Sequence, residues 1–244
     1  MAAEERLLVP VQMARMSVWS DHAMAAVLCS AMNDHMATTA SRYDGMRMCA
    51  TVDILDPAEA VRELERVGGR YPIGAVLVPP RGTILLGDPY YHPVFEAAVD
   101  LGVPIIVHPS GAEGAYFGGP TLGVGPVRSS YLRGTVQYQV AESNLFDLVF
   151  SGTFERYRQL CIIFAHWGYR WVPPAFWRME SEWRAFRLEA PWLTRSPWEY
   201  LAGNVRLACA EALHTEQGVE PSPYERVWEG LDPLLLGTGV GLEG

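Results

Sequence analysis

Two stretches of the sequence run through apolar residues into a histidine. They are GVPIIVHPSG at 102–111, which reaches His108, and LCIIFAHWGYRW at 160–171, which reaches His166. Neutral imidazole is a good ligand for zinc, and a second imidazole nearby can act as acid or base. One histidine alone is more often a hydrogen-bonded loop or core residue. Two at equivalent strand ends, each followed within three residues by a glycine (Gly111, Gly168), form a candidate pair.

The other candidates carry less. His22 and His35 fall on a helix-like stretch and His214 in a polar one, which favours surface or packing roles. His92 follows Tyr90 and Tyr91 at a helix start, so capping or aromatic packing is expected. Ser110 beside His108 suggests a nucleophile, yet GxSxG is absent and no base follows it recognisably. The glycine-rich FGGP and LGVG (117–125) lack GxGxxG and do not open a helix after a strand. Arg128, Arg133 or Arg170 is a candidate to meet a carboxylate, although most exposed arginines are simply solvated.

The elements that must position the histidine pair are legible as an alternation. Strands are predicted at 48–54, 73–78, 103–108, 160–166, 204–210 and 233–239. Helices are predicted at 18–40, 56–68, 89–101, 131–150, 172–187 and 221–231, with a short helical piece at 153–157. Asp56, Pro57 and Glu59 give the second helix a cap, a first-turn proline and a third-position acid. The strands are continuous apolar runs, which is the pattern of a parallel sheet covered on both faces. An open doubly wound sheet and a β/α barrel both fit, and both place chemistry at the carboxyl ends of strands. The Gly/Pro-rich segment 109–127 is long for a connection and reads as a functional loop over a site.

Composition bounds the rest. The 244 residues carry a formal charge of −9 and are 49% hydrophobic. That balance argues against nucleic acid or an anionic membrane as partner. All 19 basic residues are arginine. No lysine is available for a Walker phosphate loop, a Schiff base or a carbamate bridging two metals. The four cysteines form no CxxC motif, and no stretch reads as a signal peptide or membrane span. A cytoplasmic protein with reduced thiols is expected, Cys161 and Cys209 being small core residues.

The segments YYHPVFEAAVDLGVPIIVHPSG and FERYRQLCIIFAHWGYRWVPPAFWRMESEWR resemble the amidohydrolase-related (amidohydrolase 2) group. That group includes aminocarboxymuconate-semialdehyde decarboxylase and related aromatic-acid decarboxylases and hydrolases. The resemblance runs from about residue 20 to 238. It implies a TIM-type β/α barrel, α/β in class, holding one divalent metal, usually zinc. His108 matches the metal ligand ending the fifth strand of that pattern. His166 matches the sixth-strand histidine, the catalytic acid/base. The pattern's HxH pair is absent from this sequence. Gly239 stands where its metal-binding Asp would be, with Thr238 matching the residue before. Three of the pattern's four ligands thus have no counterpart here.

The resulting expectation is one domain over 1–244, an incomplete barrel lacking its first two strands and the end of its last, truncated at both termini relative to the family. Its function is expected to be that of a metal-dependent hydrolase or carboxy-lyase. The substrate class is a small organic acid, often aromatic or enol, or a lactone, and the absence of three metal ligands leaves the activity of this chain open. The expected partner is the small-molecule substrate, and a homo-oligomer is allowed. The alternative is a non-catalytic remnant that binds a partner or paralogue through an open sheet edge.

Overall fold

The structure, a computed structural model, describes residues 6–80, 84–113, 125–208 and 235–236. β1 (Arg6–Leu8) leads through a 3-10 segment (Val11–Val18) to α1 (His22–Ala40). β2 (Met46–Thr51) is followed by α2 (Pro57–Gly68), and β3 (Ile73–Val78) by α3 (His92–Asp100). β4 (Ile105–Val107) precedes α4 (Ser130–Val136), α5 (Tyr138–Phe150) and α6 (Thr153–Arg156). β5 (Ile162–Ala165) precedes α7 (Val172–Phe186) and α8 (Pro197–Asn204), and β6 (Val205–Ala208) and β7 (Leu235–Leu236) follow. The seven strands form one sheet in chain order, and every pairing is parallel. This curled parallel sheet with its helices is an incomplete β/α barrel.

The sheet has two different faces. Met48, Ala50, Val76, Val78, Ile105, Val107, Ile162, Phe164, Val205 and Leu207 share the main core with helical residues such as Leu64, Phe95, Leu145, Ala175 and Leu201. The residues between them in sequence, Cys49, Ala75, Leu77, Ile106 and Ala165, form a smaller cluster on the other face with Met13 and Cys29. Both faces being apolar is why β3, β4 and β5 read as unbroken hydrophobic runs, whereas Arg47 and Arg206 interrupt β2 and β6.

Local chemistry sets the element ends. The Asp56 carboxylate accepts the Glu59 backbone N–H at 3.0 Å and caps α2, whose first residue is Pro57. Beyond the end of β1, the Asn33 side chain takes over one edge of β2. It accepts from the Thr51 N–H at 2.8 Å and donates to the Thr51 carbonyl at 2.9 Å. The same amide donates to Glu63 at 2.7 Å, and Glu63 also receives Arg66 and Ser30. Burial pushes the Glu63 carboxyl up, but donors from Arg66, Asn33 and Ser30 outweigh it and hold the group ionised.

Some elements differ from the sequence expectation. β1 lies before residue 18, so the parallel order extends one strand further toward the amino end. The stretch 131–150 is two helices meeting at Gln137. The expected helix at 221–231 lies outside the described residues, and of the strand at 233–239 only Leu235–Leu236 is described. Among the described residues no helix is long and apolar enough to cross a membrane.

Candidate active site

β4 presents His108 immediately past Val107. Ile106 faces the smaller cluster, and the two-residue period of a strand puts His108 on that same face. Its Nδ1 lies 2.8 Å from the Pro109 carbonyl oxygen. A carbonyl only accepts, so Nδ1 carries the proton in the neutral ring and the lone pair stands on Nε2. Burial lowers the affinity of this half-buried imidazole for a second proton. The Pro109 contact and Glu113 oppose that effect, and the neighbouring His166 adds to it.

His166 follows β5 in the same way, but strand geometry alone would misdirect it. Ala165 belongs to the smaller cluster, so the next residue of a regular strand would turn to the helix-covered face. Instead His166 has φ +63°, the one positive φ outside glycine among the described residues. Its N–H donates to the Ala208 carbonyl at 3.1 Å. The indole N–H of the following residue, Trp167, donates to the Val107 carbonyl at 2.9 Å. The end of β5 is thereby tied to β6 on one side and to β4 on the other. The His108 and His166 rings come to lie with centroids 4.9 Å apart and planes inclined at 56°. One ring is half-buried and the other exposed, an arrangement open to a small molecule.

The turn after His108 is held by a residue that the sequence reading passed over. Glu113 is 1% exposed. One of its oxygens accepts the Ser110 N–H at 2.6 Å and the Ser110 hydroxyl at 2.8 Å, and the other accepts the Gly111 N–H at 3.0 Å. Arg133 donates to the Gly111 carbonyl at 2.7 Å from outside. Gly111 sits at φ +77°, where an L side chain is strained. The signal was the Ser110-x-x-Glu113 spacing, a capping-box pattern used here on a turn rather than a helix. The Ser110 hydroxyl donates to Glu113 and accepts the Ala112 N–H at 3.1 Å.

The remaining candidates separate. His22 Nδ1 lies 2.8 Å from Asp53 Oδ2, just beyond the carboxyl end of β2. Asp53 is 4% exposed, and the histidine with the Leu55 N–H satisfies its charge. The sequence reading placed His22 on a helix surface and missed this buried partner, which lies 31 residues away. His92 packs against Phe95 and Tyr157, the aromatic role expected of it. His35 is exposed on α1, and His214 and Cys209 lie outside the described residues. Cys161 is partly buried and unpaired. Arg128 is exposed, and Arg170 lies over the Tyr169 ring at 5.9 Å.

The amidohydrolase family profile matches residues 7–234. The chain belongs to the amidohydrolase family. Membership makes it kin to enzymes, and solved structures agree on the fold. The 5-carboxyvanillate decarboxylase of Sphingomonas paucimobilis is 23% identical, with a TM-score of 0.68 over 96% of this chain and 68% of that one. The 2,6-dihydroxybenzoate decarboxylase of Rhizobium is 20% identical, with a TM-score of 0.63 over 80% and 61%. The 5-carboxyvanillate decarboxylase of Novosphingobium aromaticivorans, complexed with manganese and 4-hydroxy-3-methoxy-5-nitrobenzoic acid, is 18% identical, with a TM-score of 0.70 over 96% and 65%. The chain thus spans about two thirds of the length of these relatives.

The metal in that last relative is manganese, where the sequence resemblance pointed to zinc. His108, with its free Nε2 lone pair, has the chemistry of a ligand for either. Protein sites hold such ions with three or four side chains. Among the described residues no group of three or more His, Cys, Asp or Glu side chains comes together. The described part of this amidohydrolase therefore does not by itself fit a tightly held metal.

Proposed function

We propose that this chain acts on a small organic carboxylic acid as a carboxy-lyase, or on a lactone as a hydrolase, with His166 as acid/base and His108 as the nitrogen offered to a divalent metal. The observation that carries this reading is the 4.9 Å approach of two imidazoles projected from adjacent parallel strands. Loss of carboxylate is favoured over hydrolysis because relatives of this fold are decarboxylases of aromatic acids. Since the described residues complete no metal site, the steps assigned here run through the imidazoles alone. As imidazolium, His166 gives its proton to the carbon that loses CO2. The electron pair of the broken C–C bond becomes the new C–H bond, and CO2 departs. In the hydrolytic direction the same nitrogen, unprotonated, takes a proton from water attacking the ester carbonyl.

The reading takes residues 1–244 as a single domain and places it in the cytoplasm. The unpaired Cys29, Cys49 and Cys161 support a reducing compartment. The test is CO2 release from 5-carboxyvanillate and 2,6-dihydroxybenzoate by the full chain, with and without added Mn2+ or Zn2+. Turnover that disappears in His166→Gln and weakens in His108→Ala is the expected result. A folded wild-type chain that turns over neither acid under any metal condition overturns it.

One observation favours the non-catalytic alternative. Among the described residues β1 pairs with β2 alone, and Leu7 in this edge strand is 38% exposed. Sedimentation of the wild type and of Leu7→Lys distinguishes the two. An assembly that dissociates in the variant, together with absent turnover, supports edge-mediated binding.

A further inference from the structure

An acid substrate needs a cation, and the arginines that the sequence offered for it are poorly placed or engaged. Arg133 spends Nη1 on the Gly111 carbonyl, and Arg170 lies over Tyr169. Arg128 is exposed ahead of α4, with no described contact to the histidine turn. A different guanidinium meets that turn. A methyl group added to Gly111 would lie 4.0 Å from Arg15 Nε, which places Arg15 against the loop that carries His108.

The backbone stem of Arg15 is fixed. Ala14 is 1% exposed, and Met13 belongs to the same buried cluster as Ile106 and Ala165, the residues two before His108 and one before His166. The 3-10 segment Val11–Val18 therefore packs onto the face to which both imidazoles belong. The Arg15 side chain is exposed, and among the described residues it has no ion-pair partner. Glu113, the acid of the turn, forms no ion pair with Arg15; its oxygens accept the Ser110 and Gly111 donors.

We propose that Arg15 recognises the substrate carboxylate on the His108–His166 face, its planar fork taking both oxygens of a small aromatic acid. Guanidinium suits this task because it stays charged and donates two parallel N–H bonds. The inference deepens the proposed function, and its test reads binding rather than turnover, so the two fail separately.

The test titrates the full chain with benzoate, following the imidazole signals of His108 and His166 by NMR, with benzamide as the neutral probe. Benzoate is expected to shift both signals and to bind at least tenfold more tightly than benzamide. Arg15→Ala should weaken benzoate by about ten- to hundredfold, as expected for loss of a charge-assisted contact. Arg15→Lys should recover part of that loss, while benzamide binding stays unchanged. Arg128→Ala should change benzoate affinity by less than about twofold. In His166→Gln, benzoate should still bind and still depend on Arg15, whether or not turnover survives. The proposal is overturned if Arg15→Ala binds benzoate as the wild type does, if Arg128→Ala causes an equal loss, or if benzoate leaves both histidine signals unmoved.

Discussion

The Trp167 indole N–H reaches the Val107 carbonyl at 2.9 Å, so the residue after one strand-end histidine is bonded to the residue before the other. This bond fixes the relative height of β4 and β5 where they present their imidazoles. Trp167→Phe keeps most of the aromatic volume and leaves the buried carbonyl without its donor. The cost should be about 1–2 kcal/mol, or roughly 3–6 °C in Tm for a chain of this size. Trp177→Phe, on a side chain 67% exposed, should leave Tm unchanged in the same melting experiment. Equal, negligible effects of both would show that the indole bond does not hold the strand ends.

Glu113 acts one step behind His108. It orders Ser110 and Gly111, and that order aims the Pro109 carbonyl which sets the His108 tautomer. Glu113→Ala leaves the buried Ser110 N–H and the part-buried Gly111 N–H unpaired, a loss of roughly 1–3 kcal/mol. Glu113→Gln retains one acceptor oxygen but turns an amide donor toward the other N–H, so it should fall in between. Nitrogen-15 shifts of the imidazole should move His108 from its Nδ1–H form toward a mixture in both variants, with His22 unmoved because Asp53 holds it independently. A His108 tautomer identical to wild type in Glu113→Ala would remove Glu113 from this role.

The apolar strands and their alternation with helices were legible because a parallel sheet covered on both faces writes continuous hydrophobic runs. The β3 boundaries were read as they stand, 73–78, since Pro72 and Pro79 flank that run. β1 was missed because three residues, RLL, are too few for any periodicity. α8 was missed although Ser196 and Glu199 form a capping box over Pro197, a signal available in the sequence. The histidine pair was visible because each residue sits at a strand end. What holds the pair was not: the φ of His166, the Trp167–Val107 bond and the approach of Arg15 all join residues far apart in the chain. Arg15 was invisible for the further reason that its use depends on its having no ion-pair partner among the described residues.

Acid should act on stability through Glu155 as well. Burial raises this carboxyl, but Thr194, Tyr200 and Arg158 donate to it and bring it down to about 2. Its side chain is 12% exposed. The unfolded group binds its proton near the ordinary value of 4.5, so the unfolded state holds more protons between 4.5 and about 2. The stabilisation is therefore complete above about pH 5 and is lost as pH falls toward 2, amounting to no more than about 3 kcal/mol. Urea titrations between pH 6 and 3 should show wild-type stability falling, with a shallower slope in Glu155→Gln. Parallel slopes would exclude Glu155 as a source of the acid sensitivity.

His166 stands in the left-handed region, where an L residue pays roughly 1–2 kcal/mol. Glycine occupies that region without the Cβ penalty but loses more chain entropy on folding, about 0.5–1 kcal/mol. The ring of His166 is exposed, so its removal leaves no cavity to offset the comparison. His166→Gly should therefore be as stable as wild type or up to about 1 kcal/mol more stable. His166→Ala keeps the strain and should be the less stable of the two variants. Urea midpoints give the difference directly. A gain in His166→Gly together with lost turnover is the pattern of strain held at a functional residue, since it serves the approach of two imidazoles and not the fold. Identical midpoints for Gly and Ala would mean that the backbone relaxes out of φ +63° once the ring is gone, and that the His108 contact holds the conformation in place.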